Sequence, residues 1–147
     1  MTEIRFYHLQ KSPLEQALPR LLQKILEKGM KAVVLCGPEE RVESLNQALW
    51  TYSPPSFLPH GSAADGFAAD QPVWLTAREE NPNGATVLVV ADGTRPQKAD
   101  AWDLCCMVFD GNDEAAVAGA RDQWKAWKDS GHTLSYWQQT DSGWQQI

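Results

Sequence analysis

The run Lys31-Ala-Val-Val-Leu-Cys36 sets the fold class of this chain. Apolar residues in unbroken succession leave a strand no polar side to turn to water, so it is stable only where both of its faces are covered. Ala85-Thr-Val-Leu-Val-Val90 and Leu104-Cys-Cys-Met-Val-Phe109 have the same character. The segments between strands carry a different period. Ser12-Pro13-Leu14-Glu15 has the form of a capping box with proline at the first helical position. Leu14, Leu18, Leu21, Leu22, Ile25 and Leu26 then recur at helical spacing up to Gly29. Pro19 interrupts that pattern because it withdraws a backbone donor; either the helix bends there or its main part starts there. Gly37-Pro38 turns the chain into a second amphipathic helix over 39–50, with Val42, Leu45, Leu49 and Trp50 on its apolar side.

With Arg5-Phe-Tyr-His-Leu9 as an aromatic first strand, the order is β-α-β-α, which implies a parallel sheet with right-handed crossovers. Prolines keep Tyr52 to Gly61 extended, and residues 61–71 are expected to be a loop. Pro72-Val-Trp-Leu-Thr76 is a further short strand. Asp110-Gly-Asn-Asp113 leads into a last helix from about Glu114 to Ser130, stopped by Gly131, and Thr133 to Gln138 is the closing strand. The expectation is an α/β protein, a three-layer α/β/α arrangement around a mostly parallel central sheet. No repeat or linker divides residues 1–147, so they form a single domain.

Composition narrows the function. The net charge of −6 argues against binding nucleic acid across the whole surface, which depends on neutralising phosphates with Lys and Arg; any contact with DNA is expected to be indirect. Cys36, Cys105 and Cys106 are odd in number, lack C-x-x-C spacing and fall in apolar runs, as expected of buried thiols in a reducing compartment. The stretch MTEIRFYHLQ is too short and polar for a signal peptide, and no run reaches transmembrane length, so a cytoplasmic location without membrane contact is expected.

Catalytic and cofactor motifs are missing. The turn Gln10-Lys-Ser12 lacks glycine, and the carboxylates of Gly37-Pro-Glu-Glu40 would repel a phosphate. There is no G-x-x-x-x-G-K-[ST], no G-x-G-x-x-G and no G-x-S-x-G. His8, His60 and His132 have no partners at metal-ligand spacing. Asp92-Gly93 and Asp110-Gly111 follow strands, where an enzyme could keep acids, but Asp-Gly there is ordinarily a turn. No cofactor or metal is expected. Two alternatives stay open: a nucleotide-binding or hydrolytic enzyme using Asp92 or Asp110, and an unrelated interaction module.

The last helix carries the positive signal. The seven tryptophans, at 50, 74, 102, 124, 127, 137 and 144, crowd toward the final quarter of the chain, and tryptophan is enriched where proteins meet. Arg121, Lys125 and Lys128 fall within about 60° of one another around the helix axis. Val117 and Trp124 lie along one edge of this stripe, and Ala120 and Trp127 continue toward the apolar face. Such a surface suits a short acidic peptide ending in a hydrophobic residue, the cations taking carboxylates and the apolar strip the side chain. Cations late in a helix also complement its dipole, so a merely solvated stripe is the competing explanation.

Phe6-Tyr7-His8-Leu9, Leu49-Trp50, Ser56-Phe57-Leu58-Pro59-His60, Val108-Phe109-Asp110 and Ala120-Arg121-Asp122-Gln123-Trp124-Lys125-Ala126-Trp127-Lys128 together resemble the chi subunit of bacterial DNA polymerase III, over nearly the whole chain. The resemblance implies a non-catalytic accessory subunit of the clamp-loader assembly. It implies binding of the acidic, Phe-terminated tail of single-stranded DNA-binding protein, and of the psi subunit. By the same resemblance the tail pocket lies on the last helix, with Arg121 as principal arginine, Trp124 as aromatic, and Lys125 and Lys128 as further cations. The psi-contacting aromatics fall on Trp50 and Phe57. Val117 stands where the best-known members carry another lysine, a lost contact worth about 0.2–1 kcal/mol.

Overall fold

The computed structural model describes residues 3–10, 14–36, 39–50, 61–62, 71–91, 96, 101–140 and 143–146. Their order is β1 (Glu3–Leu9), α1 (Leu14–Glu27), β2 (Ala32–Leu35), α2 (Glu39–Trp50), β3 (Gly61–Ser62), β4 (Val73–Thr76), β5 (Val87–Ala91), β6 (Leu104–Asp110), α3 (Glu114–Asp129), β7 (Thr133–Thr140) and β8 (Gly143–Gln146). The strands form one sheet in the order β3-β4-β2-β5-β6-β1-β7-β8. Every described pairing is parallel except that of β8 with β7. The α/β class and the mostly parallel sheet are as the apolar runs imply.

The sheet has helices on both faces. Tyr7 and Leu9 of β1, Val34, Val89, Cys106 and Val108 pack with Leu14, Leu18, Leu22 and Ile25 of α1 and Val42 and Leu45 of α2. Ile4 and Phe6, one step out of phase with Tyr7 and Leu9, join Val33, Leu88, Val90, Cys105, Met107 and Phe109 beneath Ala120 of α3. The period of two along a strand assigns alternate residues to the two layers. Cys36, Cys105 and Cys106 are buried, and none forms a disulfide. Burial pushes the Cys105 thiol up and that of Cys106 to about 12.

α1 starts at Leu14 and contains Pro19 in its interior, which decides between the two readings of that proline. An interior proline costs about 3 kcal/mol. Burying each of the leucines that Leu14, Leu18 and Leu22 bring to the same face is worth about 1.5–3 kcal/mol, so packing outweighs the lost hydrogen bond. Gly29, at φ 77, supplies the left-handed residue that ends the helix.

Two expectations about strands are corrected. Gly61–Ser62 is not loop but pairs in parallel with Trp74 and Leu75; two residues are too few to show a period. β7 does not close the sheet. It runs on to Thr140, and β8 pairs with it antiparallel. Glutamines disguise β8, which is anchored by the edge-on contact of Trp144 with Tyr7 at 5.0 Å.

Candidate functional site

α3 begins at a firm cap. Asp113 accepts hydrogen bonds from the backbone N–H of Ala115 at 3.0 Å and of Ala116 at 3.4 Å. That cap satisfies donors at the helix start. The helical period puts Ala116, Val117, Ala120, Trp124 and Trp127 on the side packed against the sheet. Phe6 of β1, fully buried, receives both indoles: Trp124 at 5.4 Å and Trp127 at 5.8 Å between ring centres. Trp124 also meets Tyr136 of β7 at 6.1 Å, so its ring bridges β1 and β7 while one side remains accessible.

Arg121, Lys125 and Lys128 stand exposed, and among the described residues none of them makes an ion pair. Val117 and Trp124 are half-buried along the rim between the cations and the core. The five helix residues named from the sequence thus occupy one contiguous face. Arg121 acts on two groups that sequence reasoning did not include: it adds to the burial that lowers the pKa of His8 and opposes the burial that raises that of Tyr136.

Those two groups come together because β1 lies between β6 and β7. His8 and Tyr136, partners in the pair between Nδ1 and Oη, are 128 residues apart in sequence. The imidazole also meets Phe109 at a tilt, 5.3 Å between ring centres, and Phe109 meets Tyr136 at 6.2 Å. Its other edge lies on Gly111: a β-carbon there would sit 1.8 Å from Cδ2 and Nε2. Burial lowers the pKa of His8, opposed by the hydrogen bond to the Gly111 backbone and by Asp110, and reinforced by Arg121. Tyr136 is raised by burial, and Arg121 works against this. The signal available in the sequence was His8 itself, the polar residue of an otherwise aromatic and apolar first strand.

The opposite flank of α3 differs. A cavity of about 60 Å³ is lined there by Phe6, Met107, Phe109, Ala116, Gly119 and Gln123 among others, without a charged group. It presents no cation to a carboxylate. Asp110, one of the acids considered for catalysis, instead accepts from the Asn112 N–H at 2.9 Å as the side chain of a turn. Asp92 and Phe57 lie outside the described residues, and Trp50 is described only as the last backbone position of α2. Among the described residues no group of three His, Cys, Asp or Glu side chains is placed to hold a metal, and no helix is long and apolar enough to cross a membrane.

The family model for the DNA polymerase III chi subunit, HolC, matches residues 1–135. A probable DNA polymerase III subunit chi of Rickettsia prowazekii is 38% identical over 94 residues, covering 64% of this chain and 57% of that protein's length. The DNA polymerase III subunit chi of Pseudomonas aeruginosa is 26% identical over 91% of this chain and 94% of its own. That of Escherichia coli is 23% identical over 84% of each chain. The match runs from β1 through Ser135 of β7 and so takes in α3 with its cationic face: this chain belongs to the DNA polymerase III chi subunit family.

Proposed function

We propose that this protein is a non-catalytic subunit of the DNA polymerase III holoenzyme that captures the acidic C-terminal tail of single-stranded DNA-binding protein. It thereby links the clamp loader to coated DNA in the cytoplasm during replication. The observation that carries this reading is the position of Arg121, exposed and without an ion pair among the described residues, beside the rim formed by Trp124, Val117, His8 and Tyr136.

A guanidinium offers a planar fork to a carboxylate, and each charge-assisted hydrogen bond contributes about 1.5–3 kcal/mol. Lys125 and Lys128 add a positive field for the aspartates of the tail, within a chain of net charge −6. Trp124 and Val117 wall the space for the terminal phenylalanine. DNA contact is indirect and no cofactor takes part. The second contact, with the psi subunit through Trp50 and Phe57, rests on the family resemblance.

The test is fluorescence anisotropy of a labelled peptide ending in Asp-Asp-Ile-Pro-Phe, with wild type and Arg121→Ala at low and high salt. Salt-sensitive binding that the variant loses supports the reading. Absence of binding by wild type at low salt removes it.

A further inference from the structure

His8, Tyr136 and Arg121 allow a step beyond simple charge attraction, resting on the tail-binding reading for its natural ligand. We propose that His8 and Tyr136 form a proton-linked donor at this site, in which His8 takes up one proton as Tyr136 turns its hydroxyl onto a bound carboxylate.

The argument is a proton count. The Gly111 backbone hydrogen bond favours the charged ring, as an accepting carbonyl does, and the Nε2 edge of the ring lies on that glycine. With Nε2 on the Gly111 side and Nδ1 against the Tyr136 hydroxyl, the proton of the neutral ring is placed on Nε2, leaving Nδ1 as an acceptor. Its partner is the Tyr136 hydroxyl, whose single proton is spent on Nδ1. A carboxylate has only acceptors to offer and finds no donor at Tyr136 in this state. When solvent delivers a proton to Nδ1, Nδ1–H donates to the tyrosine oxygen instead. The tyrosine proton is then released toward the ligand. One proton is gained, and no bond between heavier atoms is made or broken.

The neighbours tie this change to ligand rather than letting it occur freely. Around His8 stand Asp110 of β6, Tyr136 of β7, Arg121 of α3 and the Gly111 backbone. Burial and the Arg121 charge disfavour the charged ring. A carboxylate seated against Arg121 cancels that cation and adds an anion, removing the repulsion and favouring the imidazolium. Both rings are only half-buried, so a ligand can reach them.

The experiment follows peptide affinity from pH 8 to pH 5.5, with binding calorimetry in two buffers of different ionisation enthalpy to count protons. Wild type is expected to bind more tightly as pH falls, about tenfold if binding raises the His8 pKa by one, with up to one proton taken up. His8→Gln and Tyr136→Phe are expected to bind with a flat profile and no uptake. A flat wild-type profile, or a slope that survives in both variants, overturns the proposal. If wild type binds no peptide at any pH, the tail reading fails. The proton link is then read from the His8 imidazole resonances as acetate is added. A pKa that rises in wild type but not in Tyr136→Phe upholds the link, and an equal response in both overturns it.

Discussion

The Phe6 ring meets the Trp124 indole edge-on, with 5.4 Å between centres and 63° between planes. Phe6 has no exposure and is held from a second side by Trp127 at 5.8 Å, one helical turn nearer the end of α3. Two indoles from one helix therefore share a fully buried ring. The pose of Trp124 at the surface is decided by the core of β1, and a rim aromatic fixed in this way loses little freedom when a ligand settles on it.

Removing that ring is expected to cost stability and binding together. Phe6→Ala should lose about 3–5 kcal/mol of unfolding free energy in urea titrations. Phe6→Leu, which retains part of the volume, should lose less and still bind the acidic peptide more weakly, because Trp124 is no longer oriented. A loss below about 1 kcal/mol in the alanine variant would contradict this packing.

Arg121→Ala separates binding from folding. The side chain is exposed and makes no ion pair among the described residues, so the melting temperature should stay within a degree or two of wild type. Peptide affinity should fall about 10- to 100-fold, the equivalent of one charge-assisted contact of about 1.5–3 kcal/mol. Lys128→Ala, removing a solvated charge, should cost only about 0.2–1 kcal/mol. Anisotropy titrations that rank Lys128 above Arg121 would refute the placement of the site.

Asp113→Ala tests the cap. Two backbone N–H groups lose their acceptor, and about 0.5–2 kcal/mol of stability should go with them. Asp113→Asn, able to accept the same bonds, should recover most of it in a parallel urea titration.

Alkali should destabilise the protein for an identifiable reason. Burial raises Cys106 from 9.0 to about 12 and Tyr7 from 10.0 to about 12, and it raises Cys105 as well. Above pH 9 the unfolded chain releases these protons while the native state keeps them, so the unfolded state binds fewer protons and stability falls with pH. The contribution is complete below pH 9 and is lost as pH rises toward 12, at about 1.4 kcal/mol per pH unit for each group in its window. Unfolding free energies that stay level from pH 8 to pH 11 would contradict the burial of these groups.

What could be read from the sequence was whatever is local. The apolar run over 31–36, the helix expected from about Glu114 to Ser130 and the stripe of Arg121, Trp124, Lys125 and Lys128 each obey a rule spanning a few residues, and the structure has a strand at Ala32–Leu35 and a helix at Glu114–Asp129. β8 escaped because its glutamines carry no strand signature and its one anchor, Trp144, gains meaning only against Tyr7. His8 escaped for a related reason. Its partner Tyr136 lies in β7, and nothing within ten residues of either reveals that β1 is threaded between β6 and β7. Scattered histidines are the ordinary background, and only the sheet order lifts this one out of it.

That threading also sets the moment at which the protein becomes competent during synthesis. β1 is among the earliest residues made, yet its two neighbours in the sheet are β6 and β7, so residues 3–9 have no permanent place until residues 104–140 have left the ribosome. Contacts of such long sequence separation form slowly, after the local helices. Because buried Phe6 supports Trp124 and His8 lies beside Arg121, a chain without β6 and β7 has no finished surface to offer. Under the proposed tail capture, a chain that stops short of β7 would therefore lack the surface needed to compete for the partner.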